Sequence, residues 1–562
     1  VISDISNKKN NKYNYLNIND FSHVLRHITI GGIINYYITL GDTAEESIIG
    51  LHSIYGHPAI PPFWGLGWHQ CKWGYKNTGQ LKDIRQNYLK NDIPLDALWT
   101  DIDMMEQKRN FHLNHNFIDV PDFIKYLHNN GQHFIALVDY GIPKKYDDPY
   151  YRIGANSNAF LYSNFTKEFL ISDVWPGESV FPDFFLNEGI DLWKTGLTDY
   201  DNKLNFDGMW IDMNEPAMIG GHRGDLAEIV HDRSKITNEK NIYLDIPYLP
   251  GEGPLHTSLS HNTISVNAYS RKNDPNNNFY TMYNTKSLIS KIQVKITNEY
   301  LQSVNKRPFI VSRANTIGHG RYAFHWLGDN DSTYKDMRNG LNGIFQFQIY
   351  GVPMTGDDIC GFNRESWDEI CARWMSVGAF FPFARNHNSV NLPPQEPYAF
   401  GPNSKTLSSS KLALNMRYSL LRYYYTQLFK VSLGEKGSFF KPLFFEYFNE
   451  EDTTSNMAES FMVGDTFIVY PIFTDDTTNI EVYMPKDDWN VFPSGEIYRN
   501  KNEDGGKITL SGEYNNINIF MRGGKIFPHQ NTENKFIRNT KALNKEKTEL
   551  YIIPDSEQHM AE

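Results

Sequence analysis

Phe206-Asp-Gly-Met-Trp-Ile-Asp-Met-Asn-Glu-Pro216 is the stretch on which the reading of this 562-residue chain turns. Phe206, Met209, Trp210, Ile211 and Met213 make it apolar enough for a buried parallel strand. Pro216 has no N–H and ends the strand. Asp212 and Glu215, with Asn214 between them, stand where it stops. A carboxylate beside Trp210 and Met213 is costly to bury unless it is hydrogen-bonded or used. The ends of barrel strands are where such groups carry chemistry. The plain alternative is a carboxylate that caps the following helix. From the residues alone, Asp212 and Glu215 are rival candidates for a nucleophile.

Other segments of the same kind alternate with helical ones on either side. Trp64-Gly-Leu-Gly-Trp68 reads as a first strand, Leu95 to Asp101 as a second, and Phe134 to Asp139 as a third. The central stretch is the fourth, and Pro308 to Ser312 is the fifth. His325-Trp-Leu-Gly-Asp329 lies at the end of a sixth, and Val352 to Asp358 belongs to a seventh. Ala379 to Phe383, leading into Arg385-Asn-His387, is the eighth. Helical patterns cover Ala44 to Tyr55, Gly79 to Asn91 and Leu288 to Val304. Strand–helix alternation on this scale implies an α/β chain built on a (β/α)8 TIM barrel with inserted loops. Two long insertions, about 143–188 and 217–285, follow the third and fourth strands and so border the face that carries chemistry. Asp225 to Lys240 is the most highly charged part of the second, and mobility is expected there.

After about residue 434 the pattern changes to short strands separated by turns. Thr466 to Ile472, Ile480 to Met484 and Ile517 to Met521 suggest a C-terminal β-sandwich. Residues 1 to about 30 are polar, and Gly32 to Leu40 reads as a strand. The expected division is 1–51, 52–434 for the barrel, 435–530 for the sandwich, and a tail, 531–562.

Aromatic residues make up 14% of the chain, and 40% is hydrophobic, enough for real cores. Aromatic faces can stack on sugars, but any one of them is also ordinary core material. A net charge of −12 argues against a nucleic-acid partner and offers no basic membrane patch. No apolar run approaches the roughly 20 residues that span a bilayer. Three cysteines, Cys71, Cys360 and Cys371, fit either a cytosolic chain or a large secretory one. Asn164-Phe-Thr166 is a glycosylation sequon. Asn330-Asp-Ser332 has the same pattern but lies within the sixth-strand motif, where modification is not expected. The chain begins at Val1 without a signal-peptide pattern and reads as a fragment or processed piece.

Trp210-Ile-Asp-Met-Asn-Glu-Pro216 resembles the nucleophile signature of glycoside hydrolase family 31, and similar motifs run from about Gly31 to about Pro528. The likeness is greatest to the family's lysosomal and intestinal α-glucosidases. It implies that the N-terminal residues are the remnant of a β-sandwich, and that the tail starts a second C-terminal β-domain. It pairs Cys360 with Cys371, leaving Cys71 as a buried thiol. It implies a glycan on Asn164 and a secretory, lysosomal or cell-surface location.

Most glycosidases use two carboxyl groups. The resemblance makes Asp212 the nucleophile and Asp329 the general acid/base, with Glu215 in support. It gives Asp101, Asp358, Arg321 and His387 to the sugar's hydroxyls, with Arg321 also compensating the charge of Asp212 or Asp329. Asp103 is expected to brace the strand end. The apolar walls are Trp73, Ile142, Trp175, Trp210, Met213, Trp326 and Phe362, around a blind pocket for one glucosyl unit. The implied activity is a retaining, exo-acting α-glucosidase on α-glucoside oligosaccharides, without cofactor or metal. This chain has Asp139-Tyr-Gly-Ile142 where the family usually has Asp-Pro-Ala-Ile.

Two other classes compete. A sugar-binding relative that does not hydrolyse would more naturally have lost Asp212 or Asp329, and both are present. A metal-dependent hydrolase could draw on Asp101, Asp103, His319, His325 and His387, but no His-x-His strand motif occurs and aromatic walls suit a sugar better. Within the enzyme class, an α-xylosidase or an α-glucosyltransferase is the nearest rival.

Overall fold

The computed structural model describes residues 2–4, 23–25, 35–164, 166–219, 263–266, 268–272, 280–450, 459–499, 505–556 and 560–561. Its centre is a parallel barrel. His69–Gln70, Ala97–Trp99, His133–Val138, Gly208–Ile211, Ile310–Ser312, Phe324–Trp326 and Thr355–Gly356 pair in that order. Asp358–Ile359 then pairs with Arg385–Asn386, which returns to His69–Gln70. The two ends of this sheet are therefore the halves of one seventh strand, interrupted at Asp357. Each half serves a different neighbour, and eight staves close the barrel.

Two strands differ from the sequence reading. Phe63–Leu66 is a 3-10 turn led in by Pro62, and the first strand starts only at His69. Gly65 is needed there, because a Cβ would meet the Phe309 ring at 2.6 Å. Ala379 to Phe383 is not the eighth strand; Arg385–Asn386 is. The cause is Arg417, fully buried on the long helix Lys405–Leu433. Its guanidinium donates to the carbonyls of Leu66, Ala379, Phe381 and Pro382 at 2.7–3.1 Å. Those carbonyls are thus satisfied without a strand neighbour. Residues 35–40 also form no strand, and Tyr36, Tyr37, Ile38 and Leu40 are exposed. No described segment pairs with them. The charged stretch from Asp225 to Lys240 lies outside the described residues.

Helix Ala44–Tyr55 has the expected bounds, capped by Thr43, whose hydroxyl accepts from the Glu46 N–H. Met282–Ser303 begins six residues before the expected start. The first insertion folds into a three-stranded antiparallel sheet of Ile142–Pro143, Ser172–Val174 and Gly177–Val180. Trp175 stands at the tip of its hairpin.

Beyond the barrel, Phe440–Lys441, Phe461–Val463, Phe467–Tyr470, Asn518–Arg522, Trp489–Val491 and Ile497–Arg499 form one antiparallel sheet, in that order. Asn479–Met484 pairs with Gly506–Ser511 in another. The two-residue strand period splits the first sheet's side chains between two cores. Ile468, Tyr470 and Phe520 join Val482, Met484 and Leu510 in the sandwich core. Phe467, Val469, Ile519 and Met521 join the barrel's own cluster.

The tail returns to the body. Thr548–Ile553 pairs with Lys525–Gln530, and Thr540 reaches the barrel. Buried Asp96, just before the second strand, accepts from the Thr540 N–H at 2.9 Å and its hydroxyl at 2.5 Å, and also from the Tyr418 hydroxyl. Replacing Thr540 by Val removes one bond to a buried carboxyl, and thermal melts should show a loss of about 1–3 kcal/mol. An unchanged melt would mean that Tyr418 and the Thr540 amide hold Asp96 unaided.

Candidate active site

The strands end on one face, and the side chains just beyond them converge there. Asp212 follows Gly208–Ile211, with its N–H bonded to the Val138 carbonyl of the third strand at 3.0 Å. One carboxylate oxygen accepts from the Met213 N–H at 2.8 Å and lies 2.9 Å from an Arg313 nitrogen. Arg313 also makes a two-pronged pair with Glu215, at 2.8 and 2.9 Å. Glu215 is thereby committed to Arg313, while Asp212 shares it. Such forks fix orientation as well as charge.

Arg313 is aimed by its neighbours. The Asn214 amide, fully buried, donates to the Ser312 hydroxyl at 2.9 Å and accepts from the Ala314 N–H at 2.9 Å. One side chain from the fourth strand end clasps both residues flanking Arg313. This corrects the expectation for Arg321. Arg321 precedes the sixth strand, at the opposite end of the barrel. It is exposed, lies against Gly56 and crosses the Tyr322 ring. The charge-compensating arginine is Arg313.

Asp329 follows the sixth strand. Its side chain is exposed, yet enough protein surrounds it to desolvate the carboxyl. Burial pushes its pKa up to about 6, the negative charge of Asp212 adds to this, and Arg313 and Arg385 oppose it. Burial also raises Asp212, against the pull of Arg313. Asp101, after the second strand, accepts from the Ile102 N–H at 2.6 Å and lies 3.5 Å from His387. Burial holds Asp101 well above the usual carboxylate range, and Asp212, Asp103 and Asp139 add to it. Asp103 accepts from the Gly74 N–H at 2.7 Å, which braces the backbone just after Trp73. Asp358 is fully buried, 2.6 Å from Arg385, and burial raises it to about 7. Counting Asp139, two guanidinium groups face seven carboxyls here, and the crowding of like charge adds to burial in raising Asp101, Asp139 and Asp329.

Arg385 is a residue of the site to which the sequence attaches no role. It has no exposure and is ringed by Trp210 at 4.6 Å, Trp99 at 4.9 Å and Trp326 at 5.4 Å. Aromatic faces and Asp358 together offset the cost of burying that charge. Asp139 is expected from the sequence as the last residue of the third strand and as part of a departure from the family pattern, with no role attached. It follows the third strand, buried, and neither carboxyl oxygen is hydrogen-bonded among the described residues. Asp139 lies just past the third strand's last residue and could be found by reading outward from it, whereas Arg385 opens the eighth strand and carries no such signal.

The apolar walls also converge. Trp73 stacks on Phe362 at 6.4 Å and meets the edge of Trp175 at 5.4 Å. Phe362 lies 5.0 Å from His387, and the Trp210 ring is 5.3 Å from both His387 and Trp326. The indole N–H groups of Trp210 and Trp326 are buried without a partner among the described residues. Met213 adopts a left-handed backbone (φ 56°) with its sulfur 3.1 Å from Arg313. Ile142 is buried against Val180 in the inserted sheet. Cys360 and Cys371 form a disulfide between the seventh strand's end and helix Asp368–Gly378, and Cys71 is a buried free thiol. Asn164 is exposed in a turn, whereas the Asn330 amide bonds the Asp358 carbonyl and the Phe362 N–H. Among the described residues no cluster of His, Cys, Asp and Glu is arranged to hold a metal, and no helix is long and apolar enough to cross a membrane.

Comparison with known proteins agrees with this architecture. The glycosyl hydrolases family 31 TIM-barrel domain matches residues 58–427, and the family's C-terminal domain matches residues 436–527. Lysosomal alpha-glucosidase of Rattus norvegicus is 32% identical over 89% of this chain and 52% of its own length. Intestinal sucrase-isomaltase of Oryctolagus cuniculus is 31% identical over 96% of this chain and 30% of its own. The chain thus spans about half, or less, of the length of these relatives. In fold it is similar to the glucosidase II alpha subunit, with a TM-score of 0.78 at 23% identity over 92% of this chain and 51% of that one. It is also similar to a Flavobacterium johnsoniae family 31 dextranase, with a TM-score of 0.75 at 22% identity over 92% of this chain and 58% of that one. With its barrel and C-terminal sheets both matched, the chain belongs to glycosyl hydrolase family 31.

Proposed function

We propose that this chain carries the catalytic centre of a retaining, exo-acting α-glucosidase. It removes terminal non-reducing α-linked glucose, mainly 1,4-linked, from malto-oligosaccharides, glycogen or starch. The observation that supports this best is the unequal treatment of two carboxyls. Arg313 grips Asp212, whereas Asp329 stands without an ion pair among the described residues.

In this reading Asp212, ionised against Arg313, attacks the anomeric carbon as Asp329 passes its proton to the departing oxygen. The glycosidic bond breaks, and glucose is held as an ester of Asp212. Asp329, now ionised, takes a proton from water. The resulting oxygen attacks the same carbon and releases Asp212, with net retention. Asp101, Asp358 and His387 hold the sugar's hydroxyls, and Trp73, Trp210, Trp326 and Phe362 line its apolar faces. Glu215 keeps Arg313 in place. The exposed Asn164 sequon and the Cys360–Cys371 bridge support a secretory setting.

Hydrolysis of maltose and an aryl α-glucoside tests the reading, with release of single glucose units as the expected result and turnover of neither as its failure. The pH profile tests the role of Asp329. A raised pKa keeps the acid protonated below about 6, and the proton is lost as pH climbs through that value. On maltose, kcat/KM should therefore fall on the alkaline side with a midpoint near there. A profile flat through that region would detach Asp329 from proton donation.

A further inference from the structure

The loop after the second strand carries a feature that the reaction above does not use. Gln107 (φ 50°, ψ 30°) and Lys108 (φ 58°) are consecutive left-handed residues, and neither is glycine. Such conformations are costly and persist where the surroundings impose them. Here Met105 and Leu113 bridge the base of the loop, and the Glu106 N–H bonds the His112 carbonyl at 3.0 Å. Arg109 locks the turn by donating to Gln107 at 2.7 Å and pairing with Asp147 at 3.0 Å.

The outcome is the position of one ammonium group. Lys108 Nζ lies 4.7 Å from the ring centre of Trp175, at the tip of the inserted hairpin. Trp175 touches Trp73, Trp73 stacks on Phe362, and Phe362 meets His387 beside Asp101. Lys108 is thus one ring further out than the wall of the glucosyl pocket, at its lip. Its charge reaches inward: burial raises both Asp103 and Asp139, and Lys108 is among the charges that oppose the rise. No carboxylate lies within ion-pair distance of it among the described residues. A half-buried lysine over an indole therefore keeps its three donors for something else.

We propose that Lys108 is a specificity-determining residue for the departing part of the substrate. It donates to hydroxyls of a sugar aglycone seated against Trp175, and so selects a second sugar over an aglycone without hydroxyls. This rests on the α-glucosidase reading, and the test separates the two.

The measurement is the ratio of kcat/KM on maltose to that on 4-nitrophenyl α-glucoside, for the wild type, Lys108→Met and Lys108→Arg. Losing one charge-assisted hydrogen bond in Lys108→Met should lower that ratio about tenfold. Lys108→Arg should restore most of it. Inhibition by a monosaccharide iminosugar, which fills only the inner pocket, should keep the wild-type constant in both variants. An unchanged ratio overturns the proposal, whether the two substrates decline together or not at all. A parallel decline would instead make Lys108 a brace for Trp175. Wild-type protein that turns over neither substrate overturns the activity reading itself.

Discussion

Asp212→Asn should abolish hydrolysis of maltose and of an aryl α-glucoside, lowering kcat by at least about 10⁴-fold, the scale on which removal of a nucleophile acts. The substitution keeps the shape of the side chain, and the Met213 N–H can still donate to its carbonyl oxygen. It removes the charge that Arg313 compensates at 2.9 Å and the atom that would form the glycosyl ester. NMR of the released sugar completes the experiment. The wild type should liberate α-glucose first, because two inversions at one carbon restore its configuration. Initial β-glucose, or a variant within about tenfold of wild type, would end the assignment of Asp212 as nucleophile.

Arg313→Met has the second largest expected effect. Asp212 and Glu215 would lose a shared cation in a half-closed site, and Asp212, raised by burial, would lose the charge that opposes that rise. A loss of about 10²–10³-fold in kcat/KM is expected, on the scale of removing a preorganised electrostatic partner. Solvent reaches part of the pair, so the accompanying destabilisation should sit near the lower end for broken buried pairs, about 3 kcal/mol. Arg321→Met is the matched control. It alters an exposed side chain at the far end of the barrel and should leave kcat/KM within roughly twofold. The reverse order of effects would restore Arg321 to the site.

That contrast also shows what the sequence could and could not disclose. The barrel was legible because its strands are short apolar runs that end in charged residues, and Asp101, Asp139, Asp212, Arg313 and Asp329 all follow that rule. Arg321 was chosen from a motif, although it precedes its strand, and strand direction alone would have favoured Arg313. The eighth strand was misplaced for a different reason. Ala379 to Phe383 is as apolar as a strand, but its carbonyls are claimed by Arg417, some 35 residues later on a helix. No local pattern reports a partner at that distance. Nor could pattern show that the seventh strand breaks at Asp357, since both halves read as one run.

The sheet that follows the barrel has a consequence for how the protein is made. Phe467, Val469, Ile519 and Met521 face the same cluster as the helix Lys405–Leu433, where Tyr423 meets Phe467 and Phe527 at 5.2 and 6.0 Å. A ribosome that has released the last barrel helix has therefore not yet supplied the lining of one wall of the core. Until residues past Phe527 emerge, Tyr423 and its neighbours remain uncovered, and a nascent chain is at its most adhesive when its barrel is nearly complete. For the same reason, cutting the gene at the end of the barrel should not yield a self-sufficient barrel. It yields a chain with an open seam.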